Sequence, residues 1–161
     1  MLSWTVGIID YYVGAALRIS RKSDYALRAM IELARSHGDR PLQTGEIAAR
    51  RSIPESFLEQ LLPALRKAGI VASLRGPRGG HSLAIPPSEL TAGDVMRAME
   101  GMLLEVECNS SGAPCALVDG CAVHDMWQEL RAAMEQVLDR TTIEDLAARE
   151  AEKRGSAMYY I

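Results

Sequence analysis

All three cysteines of this 161-residue chain fall within one stretch of 14 residues. Cys108, Cys115 and Cys121 follow a C-x6-C-x5-C spacing, and His124 comes three residues after the last of them. Thiolates are soft ligands that suit zinc or iron–sulfur clusters, and an imidazole can complete either kind of site. These four side chains therefore predict a metal centre.

Three kinds of chemistry are open to these cysteines. Zinc sites usually contain two cysteines separated by about two to four residues, and this chain has no such pair. Wider spacings suit an iron–sulfur cluster, whose ligands are spread further apart. Inert cysteines are more often scattered along a chain, and a lone disulfide would leave one thiol over. The spacing favours a cluster over zinc and over inert or disulfide-bonded thiols.

The elements before the cysteines are predicted from apolar periodicity. Ser23 can cap a first helix that ends near Gly38, and Thr44 can cap a short second helix. Pro54 suits the start of a third helix, which presents five apolar side chains inward: Phe57, Leu58, Leu61, Leu62 and Leu65.

Two short strands follow, at residues 70–74 and 82–85, on either side of a basic and glycine-rich turn, residues 75–81. Three helices followed by a two-stranded hairpin predict a winged helix-turn-helix. The fold class is therefore mainly α-helical with a small β-hairpin.

The second half of the chain is predicted to be helical. Thr91 and Asp94 have the spacing of a capping box for a fourth helix that Gly101 ends. A long amphipathic helix covers about 122–139, a final helix starts near Thr142, and the tail after Lys153 is expected to be loose. We divide the chain into an N-terminal extension (1–16), a winged helix-turn-helix domain (17–101), a cysteine loop (102–121), and a long helix with a C-terminal tail (122–161).

Composition and charge narrow the class of protein. Hydrophobic residues make up 48% of the chain and charged residues 24%, which supports a packed core. No stretch approaches the roughly 20 apolar residues that cross a bilayer, so we expect a soluble, cytoplasmic protein. Residues 17–85 carry a net charge of +6, whereas residues 86–161 carry −8. A basic half joined to an acidic half is typical of a nucleic-acid-binding module with a separate partner element. Two solvated faces of ordinary composition remain the alternative.

The third helix and the hairpin supply the candidate DNA-reading surface, because a winged helix-turn-helix inserts the N-terminal end of its third helix into the major groove. Ser56 and Gln60 lie four residues apart on one face and can hydrogen-bond base edges or phosphates. Arg75 and Arg78 on the hairpin can reach a narrow minor groove or the DNA backbone. Phe57 is either part of this surface or part of the core. A winged helix used for protein contact is the alternative.

These motifs resemble the IscR/NsrR/RirA family of bacterial winged-helix regulators. The resemblance rests on Leu58-Glu59-Gln60-Leu61-Leu62, Leu65-Arg66-Lys67-Ala68-Gly69, Arg75-Gly76-Pro77-Arg78-Gly79-Gly80, Thr91-x-Gly93-Asp94-Val95 with Glu100-Gly101, the three cysteines and Trp127. It covers about residues 17–147. It implies a homodimer that binds double-stranded DNA, acts as a repressor, and senses iron–sulfur, redox or nitric oxide status through a cluster.

The resemblance also suggests ligands for the cluster. His124 matches the fourth ligand of the family's iron–sulfur assembly regulator, whose cluster is 2Fe–2S. Asp24 matches an acid that the family's nitric-oxide sensor supplies from the partner subunit to a 4Fe–4S cluster; a helix-dipole role is the alternative for Asp24. The first cysteine gap is six residues where the assembly regulator has five. We favour a 2Fe–2S cluster held by the three cysteines and His124.

Residue by residue, Ser56, Gln60 and Arg75 match the assembly regulator's DNA contacts, and Glu59 matches an acid that discriminates between operators. Pro54 and Phe57 stand where that regulator has a serine and a tyrosine, so the operator is expected to differ. The long helix would form the two-fold interface, with Met126, Trp127, Leu130 and Met134 as the interface residues. The apolar side chains of this helix that keep close to heptad spacing are Val123, Met126, Leu130, Met134 and Val137.

Two other functions compete with this one. The first is an electron carrier or redox enzyme, which lacks support because the chain has no CxxC, no dinucleotide fingerprint and no acid–base pair; we predict that the protein is not an enzyme. The second is a cluster-free or zinc-bound regulator that uses the cysteines structurally or as thiol sensors.

Overall fold

The computed structural model describes residues 19–101 and 120–157, which form six helices and one two-stranded antiparallel sheet. In chain order the elements are α1 Arg21–Arg35, α2 Thr44–Arg51, α3 Glu55–Lys67, β1 Val71–Leu74, β2 Gly80–Leu83, α4 Ala92–Glu100, α5 Ala122–Arg140 and α6 Ile143–Ala157. This order confirms the predicted fold, a winged helix-turn-helix followed by a long helix. The predicted N-terminal extension (1–16) lies outside the described residues.

The start of α1 differs from the prediction. Ser20, not Ser23, is the N-cap, and its hydroxyl oxygen accepts a hydrogen bond from the Ser23 N–H at 3.2 Å. Ser23 is fully buried inside the first turn, where its hydroxyl donates to Glu100 Oε1 at 3.0 Å. Ser20 has the extended backbone of an N-cap, with φ of −67° and ψ of 152°, whereas Ser23 already lies inside the helix.

The helix-turn-helix is formed by α2 and α3. Thr44 is the first residue of α2 rather than its cap, which is Gln43. Ser52 ends α2 in the left-handed region, with φ of 52°, and the Ile53 N–H donates to the Ala48 carbonyl at 3.0 Å. Pro54 is the N-cap of α3, as its fixed φ predicts.

The wing is the hairpin of β1 and β2, paired from Val71↔Leu83 to Leu74↔Gly80. The predicted second strand, 82–85, starts two residues too late. Gly80 takes a φ of +151°, and a Cβ there would lie 2.5 Å from the Leu42 carbonyl oxygen. Only glycine permits this approach, so the strand extends back to a residue that sequence propensity assigns to the turn.

The hydrophobic core joins α1 to α4 and the wing, and α6 also contributes to it. Helix α6 packs along α1, and its first residue, Ile143, is fully buried. The loose tail predicted after Lys153 is wrong, because α6 continues to Ala157. Its register is fixed by packing on α1, which the local sequence does not encode.

The turn between α5 and α6 is hydrogen-bonded to the segment before α4. The Ala92 N–H donates to the Thr141 carbonyl at 2.8 Å, and the Ile143 N–H donates to the Leu90 carbonyl at 2.8 Å. An isolated bridge pairs Thr91 with Thr142. The end of the long helix is therefore joined to the DNA-binding half of the chain through backbone atoms.

Among the described residues, no helix combines the length and the apolar character needed to cross a membrane.

Candidate functional site

The exposed end of α3 carries the predicted base-reading side chains. Ser56, Glu59 and Gln60 are all exposed. Phe57 is half-buried and packs edge-on against Tyr25, with ring centroids 5.4 Å apart and an interplanar angle of 83°. The aromatic ring at position 57 therefore fixes α3 against α1, while its three neighbours face solvent.

Arg75 and Arg78 are exposed in the turn between β1 and β2, where the sequence places them. The wing also lies beside α3, because Glu59 and Arg66 of α3 line the same groove as Ser73 and His81 of the hairpin. The groove has a volume of about 210 Å³. The recognition helix and the wing are thus neighbouring parts of one surface.

His81 connects the wing to the helix-turn-helix, a role that the sequence analysis missed. One ring nitrogen lies 2.9 Å from the Ser73 hydroxyl and the other lies 3.2 Å from the hydroxyl of Thr44, at the start of α2. Its backbone N–H and carbonyl both bond Leu42, at 2.7 and 3.0 Å. Burial first, and then the positive charge of Arg66, lower the pKa of His81 below its ordinary value.

A signal for this role was present in the sequence. His81 directly follows the glycine pair 79–80 in the predicted turn. On a short strand after the turn, the histidine side chain points either to solvent or towards the helix-turn-helix at the base of the hairpin. The one-residue alternation of strands could have assigned it inward once the strand was known to begin at Gly80.

Two candidate ligands from the cysteine region lie within the described residues. Cys121 is the N-cap residue of α5 and is a half-buried free thiol. His124 is half-buried in the first turn of α5, with Nε2 3.4 Å from Gln128 Nε2. Cys108 and Cys115 lie outside the described residues, so the predicted ligand set of three cysteines and His124 stays a prediction. A thiol and an imidazole within one helical turn fit the chemistry of a cluster or zinc site.

Asp24, the other candidate fourth ligand, lies in the first turn of α1. Its carboxylate pairs with Arg28 at 2.9 Å, and both side chains are about half exposed. The geometry satisfies the helix-dipole role, and ligation from this position would require the carboxylate to exchange Arg28 for a metal.

The C-terminal end of α4 is anchored on the start of α1. Glu100 accepts hydrogen bonds from the hydroxyls of Ser20 and Ser23. Lys22 Nζ donates to the Met99 carbonyl oxygen at 2.7 Å, near the C-terminal end of α4. The Ser20 hydrogen bond is the main cause of a lowered Glu100 pKa; burial opposes it, and Ser23 and Lys22 assist. These contacts hold the carboxylate of Glu100 against the first turn of α1.

Helix α5 exposes a row of apolar side chains. Their relative exposure ranges from 38% to 65%, and their spacing is that of a heptad seam: Val123, Met126, Leu130 and Val137. Of the four predicted interface residues, Met126 and Leu130 lie in this row, whereas Trp127 and Met134 are half-buried beside it.

The side of α5 opposite the apolar row is joined to α4 by an ion pair between side chains. Arg97 donates to Asp94 Oδ1 at 2.8 Å and to Asp139 Oδ1 at 2.7 Å. Asp94 also completes the predicted capping box with Thr91, whose side chain accepts from the Asp94 N–H at 3.1 Å. Gly93 lies directly beneath Asp139. The motif at 91–97 therefore both starts α4 and holds the long helix.

An exposed recognition helix, α3, with a basic wing beside it defines the class of winged helix-turn-helix DNA-binding regulators. Residues 19–149 match the Rrf2 family, described as an iron-dependent transcriptional regulator. The chain belongs to the Rrf2 family. It is a transcriptional regulator and not an enzyme.

Two relatives and one solved structure illustrate this family. The regulator CymR of Bacillus subtilis is 40% identical over 145 residues, which cover 90% of this chain and all of CymR. The regulator IscR of Vibrio cholerae is 34% identical over 130 residues, 81% of this chain and 75% of IscR. The solved structure of B. subtilis CymR, described as the global cysteine regulator, has a TM-score of 0.71 and 42% identity over 83% of this chain and 98% of that one.

Proposed function

We propose that this regulator is a homodimeric repressor that binds a double-stranded operator and responds to iron–sulfur, redox or nitric oxide status through its cysteines. The observation that carries the DNA-binding part is the groove shared by α3 and the wing. It supports a single surface on which Ser56 and Gln60 contact bases while Arg75 and Arg78 contact the backbone or minor groove.

The homodimer is supported by the apolar row on α5. A helix that exposes four large apolar side chains at heptad spacing, with no partner among the described residues, favours a second helix of the same kind. Two-fold pairing would place two recognition helices about 34 Å apart, which fits an operator with two half-sites.

In the sensing part of the proposal, a 2Fe–2S cluster is held by three cysteines and one histidine: Cys108, Cys115, Cys121 and His124. In the alternative, Asp24 replaces His124 and the cluster is of the 4Fe–4S type. When bound, such a cluster would supply redox and nitric oxide reactivity. The chain's own residues hold its surroundings: Glu100 fixes the preceding segment on α1, and Cys121 begins α5. Movement of the segment that carries the cysteines would therefore act both on the DNA-binding half of the chain and on α5.

A second candidate is a regulator without a cluster, in which the cysteines bind zinc or sense thiols directly. The likeness to CymR, described as a cysteine regulator, favours it. The described residues contain no group of three or more candidate ligands, which leaves both candidates open to experiment.

DNA binding is tested by measuring operator affinity while the salt concentration is raised. We expect a steep negative slope of log affinity against log salt, which becomes shallower by about one for Arg75→Ala. Arg149→Ala, an exposed arginine on α6, is the control. A wild-type affinity that does not depend on salt would contradict binding led by phosphate contacts.

Sensing is tested by anaerobic purification with iron and sulfide analysis. About two of each per monomer would support His124, about four would redirect attention to Asp24, and Cys115→Ala should remove the chromophore. Zinc, or no metal at all, would replace the cluster with the second candidate and leave the DNA-binding proposal intact.

A further inference from the structure

A cavity of about 350 Å³ lies between the C-terminal ends of α1 and α2 and the last turns of α6 and shares no lining residue with the groove between α3 and the wing. It is lined by Glu32, Arg35, Ser36, Arg50 and Arg154. Three of its five lining residues are arginines, whose planar forks match carboxylate and phosphate groups. The lining therefore points to an anion.

The charges around this cavity do not balance. Arg51 is buried, with its side chain 4% exposed, and it donates to Glu32 at 2.8 Å and to both oxygens of Glu150 at 2.7 Å. Arg50 donates to the other Glu32 oxygen at 3.1 Å. The two carboxylates are thus occupied by Arg50 and Arg51.

The other two arginines are less well paired. Arg35 and Arg154 each approach Glu150 Oε2 only to 3.7 Å, beyond the usual distance of a hydrogen bond. Arg50 also approaches Glu46 to 3.8 Å, and Glu46 is paired with Arg40 as well. With this pair included, five arginines meet three carboxylates, which leaves an excess of two positive charges. Burial opposes ionisation of Glu150, but the hydrogen bond and charge of Arg51 and the charges of Arg154 and Arg35 lower its pKa, so the count holds at neutral pH.

A second observation concerns Arg51, which donates to the lining residue Glu32 but does not itself line the cavity. Nη2 of Arg51 is buried and has no hydrogen-bond partner among the described residues. A buried donor on a charged group that lacks an acceptor is costly, and such groups call for a bound water or ion.

We propose that this cavity binds a small oxyanion of carboxylate, phosphate or sulfate chemistry, held by Arg35, Arg50 and Arg154 with the Ser36 hydroxyl as a further donor. The volume lies at the lower end of small-molecule sites, which fits a metabolite-sized anion rather than a larger ligand. The side chains that hold the anion come from α1, α2 and α6. The anion would therefore link α6 to α1 and to the helix-turn-helix. This site is separate from the proposed DNA surface and does not depend on the cluster.

The test uses the full chain without DNA. Thermal unfolding and titration calorimetry are carried out with sodium phosphate, sulfate and succinate, against sodium chloride at equal ionic strength. We expect at least one of the three to bind and to raise the melting temperature in a saturable way. Arg35→Gln and Arg154→Gln should each weaken that binding at least tenfold, whereas Arg149→Gln, on the same helix but outside the cavity, should not.

Several results would overturn the proposal. Stabilisation equal to that of chloride would mean a general salt effect, and unchanged binding by Arg154→Gln would place the anion elsewhere. If no oxyanion binds, but Arg154→Gln weakens operator binding as strongly as Arg75→Ala, the arginines serve the DNA backbone instead. Circular dichroism of each variant separates these outcomes from misfolding.

Discussion

A Cβ atom on Gly93 would lie 2.1 Å from Oδ1 of Asp139, so α4 and α5 approach each other at a point where only a hydrogen fits. The Asp139 carboxylate occupies this place because Arg97 holds it at 2.7 Å. The presence of glycine at position 93, in the motif that resembles the family, is thus explained by Asp139, which lies 46 positions later in the chain.

We predict that Gly93→Ala lowers the free energy of unfolding by about 1 kcal/mol, because the added methyl group displaces Asp139 from Arg97. In an Asp139→Ala background the same substitution should be neutral or stabilising, since the clash is gone and alanine favours helix. A double-mutant cycle by urea unfolding measures the coupling. Equal effects of Gly93→Ala in both backgrounds would contradict this explanation.

The apolar row on α5 predicts the oligomeric state. Leu130→Glu should weaken self-association at least tenfold, because it places a charge in the centre of the proposed seam. Gln136→Glu adds the same charge to an exposed position off the row and serves as the control. Analytical ultracentrifugation over a range of concentrations gives the dissociation constants. A wild-type monomer, or a Leu130→Glu dimer as tight as wild type, would refute the seam.

His81 predicts a dependence of stability on pH. Its folded pKa lies below the ordinary value of 6.5, so the unfolded chain binds this proton more readily than the folded one. The contribution is fully present above pH 6.5 and is lost as the pH falls from 6.5 towards the folded pKa. His81→Gln should reduce the fall in melting temperature between pH 7.5 and 5.5. His37→Gln, an exposed histidine, should leave it unchanged.

The buried ion pair predicts a large loss of stability. Glu32→Gln should cost about 3 kcal/mol, because Arg51 remains buried with one carboxylate partner instead of two. Glu135→Gln breaks a half-exposed pair with Arg131 and should cost less than about 1 kcal/mol. Urea unfolding compares the two variants. Similar losses in the free energy of unfolding would show that burial does not determine how much the Glu32–Arg51 pair contributes to stability.

Most of the winged helix could be predicted from local patterns. The leucines of α3 recur at helical spacing, the Thr91–Asp94 box starts α4 as expected, and α5 begins at residue 122 as the periodicity predicts. These features depend on residues a few positions apart, and a single sequence contains that information.

The parts that were missed depend on contacts between distant residues. The hydroxyls of Ser20 and Ser23, at the start of α1, both donate to Glu100 at the end of α4, and β2 starts early because Gly80 lies against Leu42. Ile143 and Leu146 mark the predicted final helix as apolar on one side, but no local pattern indicates that this side packs on α1. The residues of the metal proposal were chosen from spacing and resemblance, and Cys108 and Cys115 stay predictions.

The burial of Ile143 has a consequence for synthesis of the protein. The ribosome needs roughly 4 to 15 s, at about 5–20 residues per second, to add the 76 residues between the end of α3 and Ile143. During that interval the recognition helix exists while α1 still exposes the face that α6 covers. A nascent chain therefore offers its DNA-reading residues before its core is closed, and chaperones would meet that uncovered face of α1 first.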